Sequence, residues 1–378
     1  MESLFTIESL NEAFEDCSKI SRWKYATQLY KSNLLVNNAE LLEDLLNGTY
    51  RTSPTTNFYI NERGKIRNIE APKMRDRIVQ KVLCKKILVP KLTRLLIYDN
   101  YASLKNRGTS FARKRVEVLL RRYINKHGEN GYILQIDIKK YFESIDHEVL
   151  KKMLHKKINE PPEIMNLIDY IVDSGKEKGL NLGSEAPQIF AIFYLSRVDN
   201  YIKSVKGMKY YGRYMDDMFV ISDSKDELKE LLEEIREQLK ELKLEINKKK
   251  THITKLSHGF TFMQIKYNID HGKIIKRPTR SKIARERRRL KKYKKTKMTG
   301  FEIRNCYKSW RNSTRKDCNK CEKTINTMDK LFDELFQNIE EPLKKTRNDI
   351  INEATKAMIE VQYEVDKESH INTVNGDC

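Results

Sequence analysis

Six cysteines in 378 residues, at positions 17, 84, 306, 318, 321 and 378, follow no framework spacing. A small disulfide-stapled domain is therefore excluded, and free thiols in a reducing compartment are expected. Cys318 and Cys321 have CxxC spacing, but a structural zinc needs two more ligands and only Cys306 lies near. The seven histidines, His147 among them, show no ligand spacing. Long apolar runs are also missing: Ile189 to Leu195 falls far short of the roughly 20 residues that cross a bilayer. The opening MESLFTIESL carries Glu2 and Glu8 where a secretory leader would be basic. A cytoplasmic protein with no membrane partner is the expectation. Acid is in deficit as well, with 53 Asp and Glu against 74 Lys and Arg, a net charge of +21. That excess points to polyanions, which for a soluble chain means nucleic acid. What remains, 39% hydrophobic beside 34% charged, is enough for a core, and the length implies two or three structural units.

Residues 1 to 50 have apolar positions at helical period and stop at Asn47-Gly48. Asn57 to Ile69 reads as a basic-tipped hairpin around Asn61-Glu62-Arg63-Gly64. Residues 74 to 98 read as helix interrupted at Pro90, and a further helix covers Ser110 to Ile124. Tyr132 to Ile138 is a short, buried strand. Helix follows from His147, with Leu150 to Val172 and Ile189 to Val205 both helical in period. Lys209 to Asp223 forms a hairpin whose two runs flank Asp216-Asp217. Ser224 and Glu227 make a capping box for a helix that buries Leu228, Leu231, Leu232, Ile235, Leu239 and Leu242, and Leu244 to Ile246 returns as a strand. From 273 to 297, 14 of 25 residues are Lys or Arg and only Glu286 is acidic. Residues 301 to 366 are expected as helices, with Met328, Leu331, Phe332, Leu335 and Phe336 on one face, and the last dozen residues as a frayed tail. Helices layered on antiparallel strands make an α+β fold.

Carboxylates beside apolar strands cost several kcal/mol each unless a cation or donors compensate. Asp137 ends the strand and Asp216-Asp217 occupies the hairpin tip, so three acids converging on a sheet edge suggest a hard divalent cation. Neighbours on a strand face opposite ways, and the hairpin turn is what lets Asp216 and Asp217 approach one site. Two Mg²⁺ ions held there could activate a 3′-hydroxyl and stabilise pyrophosphate. A solvated Asp-Asp turn is the bland alternative.

Tyr214-Met215-Asp216-Asp217, with Met218 to Ile221 after it, resembles the YxDD box of reverse transcriptases. Asp137-Ile138-Lys139-Lys140-Tyr141-Phe142 through His147, about 80 residues earlier, is similar to the first catalytic motif of the family's bacterial retroelement branch. The resemblance runs from about Asn57 to Trp310. It implies a right-hand polymerase: an N-terminal helical extension (1–56), fingers (57–130), palm (131–268), a basic helical thumb (269–366) and a flexible tail (367–378). It implies Asp137, Asp216 and Asp217 as catalytic carboxylates, with Ile138 beside them in the metal set, and Mg²⁺ as the cofactor with Mn²⁺ as a substitute. Phe142 matches the aromatic gate that excludes a ribose 2′-hydroxyl. Lys65, Arg67 and Arg77 look like the triphosphate clamp, which suits the forked guanidinium. Arg107-Gly108-Thr109 resembles a template contact, and Tyr214 and Met215 would face nucleic acid. Leu182 and Gln188 lie in the nucleotide-pocket loop, where Leu182 replaces the family's glutamine. Lys250, in Asn247-Lys248-Lys249-Lys250-Thr251, matches the lysine that meets pyrophosphate. Phe260 to Gln264 stands at the primer grip with Gln264 in place of glycine. Arg277, Arg280, Lys282, Arg285, Arg288 and Lys292 are the expected phosphate contacts.

These features imply an RNA-directed DNA polymerase using dNTPs, an RNA template and a primer-template duplex. The loop around Leu182 is similar to diversity-generating retroelement enzymes, which act with a small basic accessory protein. Pro187 and Gln264 keep open an anti-phage defence reverse transcriptase acting with a structured noncoding RNA. A non-catalytic RNA-binding scaffold is the alternative of another class. No X-domain, nuclease or integrase signature is apparent in the C-terminal 80 residues, which disfavours a group II intron maturase with endonuclease.

Overall fold

The computed structural model describes residues 1–62, 64–173 and 177–337, without the side chains of residues 62 and 65. The helices expected beyond 337, the tail 367–378 and the Lys65 side chain lie outside the described residues. Two compact units are formed: residues 1–282 with 317–320, and, among the described residues, 283–316 with 321–337.

In the first unit, Thr6 and Ser9 cap helix α1 (Ile7–Ser18) reciprocally, each side chain accepting the other's backbone N–H. Helices α2 (Tyr25–Ser32) and α3 (Leu34–Leu46) follow. Strands β1 (Thr56–Glu62) and β2 (Lys65–Ala71) pair antiparallel, with Phe58 opposite Ile69 and Ile60 opposite Arg67. Helix α4 (Met74–Leu83) then packs against α1, α2 and α3. The break expected at Pro90 takes another form. A π-helical turn, Cys84–Leu88, leads straight into α5 (Val89–Leu92), and the widened turn gives the proline ring room beside the carbonyl one turn back.

Helix α6 (Thr109–His127) precedes β3 (Tyr132–Ile136) and α7 (Tyr141–Ser144). Asp146 caps α8 (His147–His155) by accepting the Val149 N–H at 3.1 Å. The single helix expected from 150 to 172 is two: α8 ends at His155 and, after a loop, Pro162 opens α9 (Pro162–Asp173). Helix α10 (Glu185–Tyr194) is buried on nearly every face, which explains the apolar run, and α11 (Ser196–Asn200) continues from it. Strands β4 (Tyr211–Tyr214) and β5 (Asp217–Ser222) form the hairpin, and the Ser224 hydroxyl caps α12 (Lys225–Glu241). The strand expected at Leu244 to Ile246 is only a bridge, Ile138 to Ile246, and the pairing strand is β6 (His252–Lys255). The central sheet runs β4-β5-β3-β6, antiparallel throughout. One core joins it to α1, α3, α4 and α8 to α12 through residues such as Phe14, Leu83, Leu150, Phe190, Val220 and Ile235.

A second sheet comprises β7 (Phe260–Phe262), β8 (Ile265–Asp270) and β9 (Lys273–Pro278). The basic stretch thus begins as a strand, against the helical expectation, because Ile274 and Pro278 alternate inward along it. Helix α13 (Arg280–Tyr293) carries the rest. With α14 (Gly300–Asp317) and α15 (Glu322–Leu335) it builds the second unit around Leu290, Ile303, Tyr307, Trp310, Met328 and Phe332. Its rings stack, Tyr307 on Phe332 at 4.5 Å. No described helix is long and apolar enough to cross a membrane.

Candidate active site

Antiparallel pairing decides which residues meet. Ile136 at the end of β3 lies opposite Met218 near the start of β5, while Gln135 lies opposite His252 at the start of β6. Asp137, Asp217 and the Lys250-Thr251 segment therefore leave their strands at the same end of the sheet. Tyr214 pairs with Asp217, so Met215 and Asp216 form a two-residue turn, with Met215 held at φ +54°. A positive φ at the first central position marks the primed turns that fit strand twist. In methionine it is backbone strain of the kind found at working sites.

Asp137 is 7% exposed and both its oxygens are engaged. Asn247 Nδ2 donates to Oδ1 at 2.9 Å and Lys250 Nζ to Oδ2 at 2.6 Å. Its backbone is held too: the Asn247 N–H donates to the Asp137 carbonyl at 2.8 Å, and the Asp137 N–H to Thr251 Oγ1 at 3.3 Å. Burial pushes the Asp216 carboxyl above its ordinary range, and the negative charge of Asp137 adds to that against its own backbone N–H, Lys250 and Arg67. Lys250 is shifted upward because its bond to Asp137 and the charges of Asp137, Asp217 and Asp216 outweigh burial. Ile138 is buried, and the bridge to Ile246 takes its hydrogen bonds from Asp137 and Lys139, so the Ile138 carbonyl has no part in it.

This donor set fits a divalent cation. Carboxylate oxygens suit a hard ion, and the Asp137–Asp216 repulsion is what such an ion relieves. Among the described residues, no group of three His, Cys, Asp or Glu is gathered as a finished metal site, Cys306, Cys318 and Cys321 included. Asp137 meets an ammonium instead.

A cleft of about 610 Å³ runs from Asp137, Asp217 and Lys250 to the 260–264 segment. There Phe262 pairs with Ile265, and Met263 and Gln264 form the turn with φ +46° and +64°. The missing glycine thus leaves the turn intact, with both central residues left-handed. Arg113, on α6, holds it: Nε and Nη2 donate to the Met263 carbonyl at 3.2 and 2.9 Å, and Nη1 pairs with Asp317.

Phe142 is half-buried, edge-on to Tyr141 at 5.8 Å, and its carbonyl accepts the Leu180 N–H. The loop carrying Leu182 docks on the first hairpin, the Glu70 N–H donating to the Leu182 carbonyl at 3.0 Å. Gly183 must be glycine at this seam: φ is +137° and a Cβ would lie 2.9 Å from the Glu70 carbonyl. Arg67 is exposed and near enough to act on Asp216. Gln188 accepts from Ser103 and shares a second cleft, about 290 Å³, with Arg77.

Several expected contacts point elsewhere. Arg77 donates to the Cys17 carbonyl at 2.8 Å, tying α4 to the end of α1, so its head is spent away from the carboxylates. Arg107 lies over the rings of Tyr98 and Phe111, at 4.7 and 4.5 Å, and donates to the Tyr98 and Asn100 carbonyls, a loop lock in place of a template contact. Lys282 is 7% exposed and does not face solvent. Arg277, Arg280, Arg288 and Lys292 are exposed and Arg285 half-buried; Tyr214 and Met215 are half-buried against the core.

Sequence reasoning missed the support beneath the turn. Arg213 and Asp199 are both 0% exposed, joined by Nη2 to Oδ2 at 2.6 Å and Nε to Oδ1 at 2.7 Å. Tyr211 donates to the same carboxylate, while Arg213 Nη1 donates to the Met215 carbonyl at 2.9 Å and Nη2 to that of Ile192 at 2.8 Å. An arginine inside the apolar strand YGRY was the available signal.

Residues 55–303 match the family described as Reverse transcriptase (RNA-dependent DNA polymerase). Protein YkfC of Escherichia coli (strain K12) is 23% identical over 184 residues, 46% of this chain and 47% of that protein. The chain thus spans about half the length of this curated relative. Apo telomerase from Candida tropicalis is similar with a TM-score of 0.47 and 13% identity, covering 76% of this chain and 57% of that one. Telomerase from Candida albicans, with a fragment of telomeric RNA, gives 0.46 and 12%, covering 77% and 60%.

Proposed function

The chain belongs to the reverse transcriptase family, and from that premise we propose that it is an RNA-directed DNA polymerase, extending a primer 3′-hydroxyl with dNTPs. The observation that carries the reading is the convergence of Asp137 with the Asp216-Asp217 turn, close enough for the charge of one to raise the carboxyl of the other. In this reading the β1–β2 hairpin is the fingers, the four-stranded sheet the palm, and the second unit belongs to the thumb. Mg²⁺ ions bound by Asp137, Asp216, Asp217 and the Ile138 carbonyl would supply activation of the hydroxyl and charge for the leaving pyrophosphate. Asn247 and Thr251 fix the direction of Asp137. In the same reading Lys250 follows the charge from Asp137 to the pyrophosphate, and Arg67 meets the triphosphate. Phe142 excludes a 2′-hydroxyl. Primer extension on an RNA template tests the reading: the natural chain extends, Asp216→Asn does not, and equal extension by both refutes it.

Within the family, the reading favoured is a diversity-generating enzyme, because Leu182 puts an apolar side chain in the nucleotide loop and its carbonyl anchors that loop to Glu70. Misincorporation should fall in Leu182→Gln on one template; indistinguishable spectra count against it.

A further inference from the structure

The three most exposed large apolar side chains among the described residues are neighbours at the junction of α1 and α2: Ile20 at 87% and Trp23 at 80% in the connecting turn, and Tyr25 at 80% at the start of α2. Leu29, one turn beyond Tyr25, is also exposed. Helix α2 is inverted, burying Thr27 against Ser21 and stacking Tyr30 on Phe14 at 5.7 Å, while its larger apolar groups face water. Around them the chain has no acid from Cys17 to Ala39 but has Lys19, Arg22, Lys24 and Lys31. Lys24 Nζ sits 5.7 Å from the Trp23 ring. Lys19 and Arg22 reach Asp16 and Glu15 in exposed pairs, at 2.7 and 3.1 Å, which give way readily to a denser anion. The patch begins at the active-site loop, since Ile20 lines the same cleft as Gly183, Ser184 and Gln188.

We propose that Trp23 and Tyr25, with Arg22, Lys24 and Lys31, form a platform for single-stranded RNA, on which unpaired template stacks beside the 183–188 loop. The route rests on the polymerase reading; the binding does not. Exposed aromatic faces among cations match a ligand with planar bases and a phosphate chain. A duplex has its bases already stacked on one another and offers no free faces. An apolar protein partner would account for the rings but leaves the four cations of this segment without a role.

The test uses the fact that the chain has two tryptophans, of which Trp310 is only 8% exposed. Trp310→Phe leaves Trp23 as the reporter, and the difference between the natural chain and Trp23→Phe gives the same signal if that variant folds poorly. An unstructured RNA of about 12 nucleotides should quench Trp23 saturably, whereas a blunt RNA hairpin should not. In Trp23→Ala, affinity for the labelled oligonucleotide should fall on the order of tenfold. Binding with Trp23 emission unaltered, or an emission change that follows protein concentration without RNA, overturns the platform. Quenching by RNA in a chain that extends no primer keeps the platform and removes the polymerase.

Discussion

The buried pair under the Met215-Asp216 turn separates stability from activity. Removing Asp199 by Asp199→Ala leaves the guanidinium of Arg213 in a fully buried place with its carboxylate gone, and breaking such a pair costs about 3–5 kcal/mol. Replacing both partners, Asp199→Leu with Arg213→Met, removes the desolvated charges together and offsets that cost, while the buried Tyr211 hydroxyl, left without its acceptor, costs about 1–3 kcal/mol. The double variant still lacks the 2.9 Å bond to the Met215 carbonyl, so the strained turn loses the donor that holds it. Displacement of a reacting group by about 1 Å costs on the order of 10²-fold in rate. Urea unfolding followed by circular dichroism should rank Asp199→Ala lowest and the double variant between it and the natural chain. Single-turnover primer extension should find both slow. A double variant that is stable and polymerises at the natural rate would refute the role given to Arg213.

Burial and the Asp137 charge hold the Asp216 carboxyl above its ordinary range, so its ionised form weakens the fold at neutral pH. Asp216→Asn should unfold at a higher temperature than the natural chain at pH 7 while failing to extend a primer. The natural chain should close that gap as pH falls through the raised value and the carboxyl protonates; a gap constant with pH contradicts the assignment. Lys250→Met removes the ammonium at Asp137 Oδ2, so half-maximal thermal stabilisation by Mg²⁺ should need less ion, even though extension slows. Arg113→Ala strips two donors from the Met263 carbonyl, worth about 1.5–3 kcal/mol as charged bonds. Its KM for primer-template should rise more than its KM for dNTP, and equal changes would argue for a general fold defect.

Much of this site is legible in the sequence because β-structure couples register to direction. Once Tyr132 to Ile136 and the KYYGRY and MFVIS runs are read as paired strands, Asp137 and Asp216-Asp217 must leave at one end. What the pattern could not give is where long cations point. Arg77, Arg107 and Lys282 carry the same letters as the exposed Arg277 and Lys292, yet the first two bond to backbone carbonyls and the third is buried. A charge in the sequence states a cost of burial, and only the fold shows where partners offset it. Leu244 to Ile246 failed as a strand for a related reason. Its residues have strand propensity, but Asn247 turns back to the Asp137 backbone, leaving one bridge in place of a ladder. Pro90 misled because a π turn absorbs it.

The clasp of Lys250 on Asp137 has a consequence for how the molecule waits between reactions. An acid group that depended on a dissolved ion for its counter-charge would loosen whenever that ion grew scarce. Here the chain supplies the opposing charge from the turn that leads into the neighbouring strand, so scarcity of metal should silence the protein without melting it, and a returning ion would have only to push aside one flexible side chain.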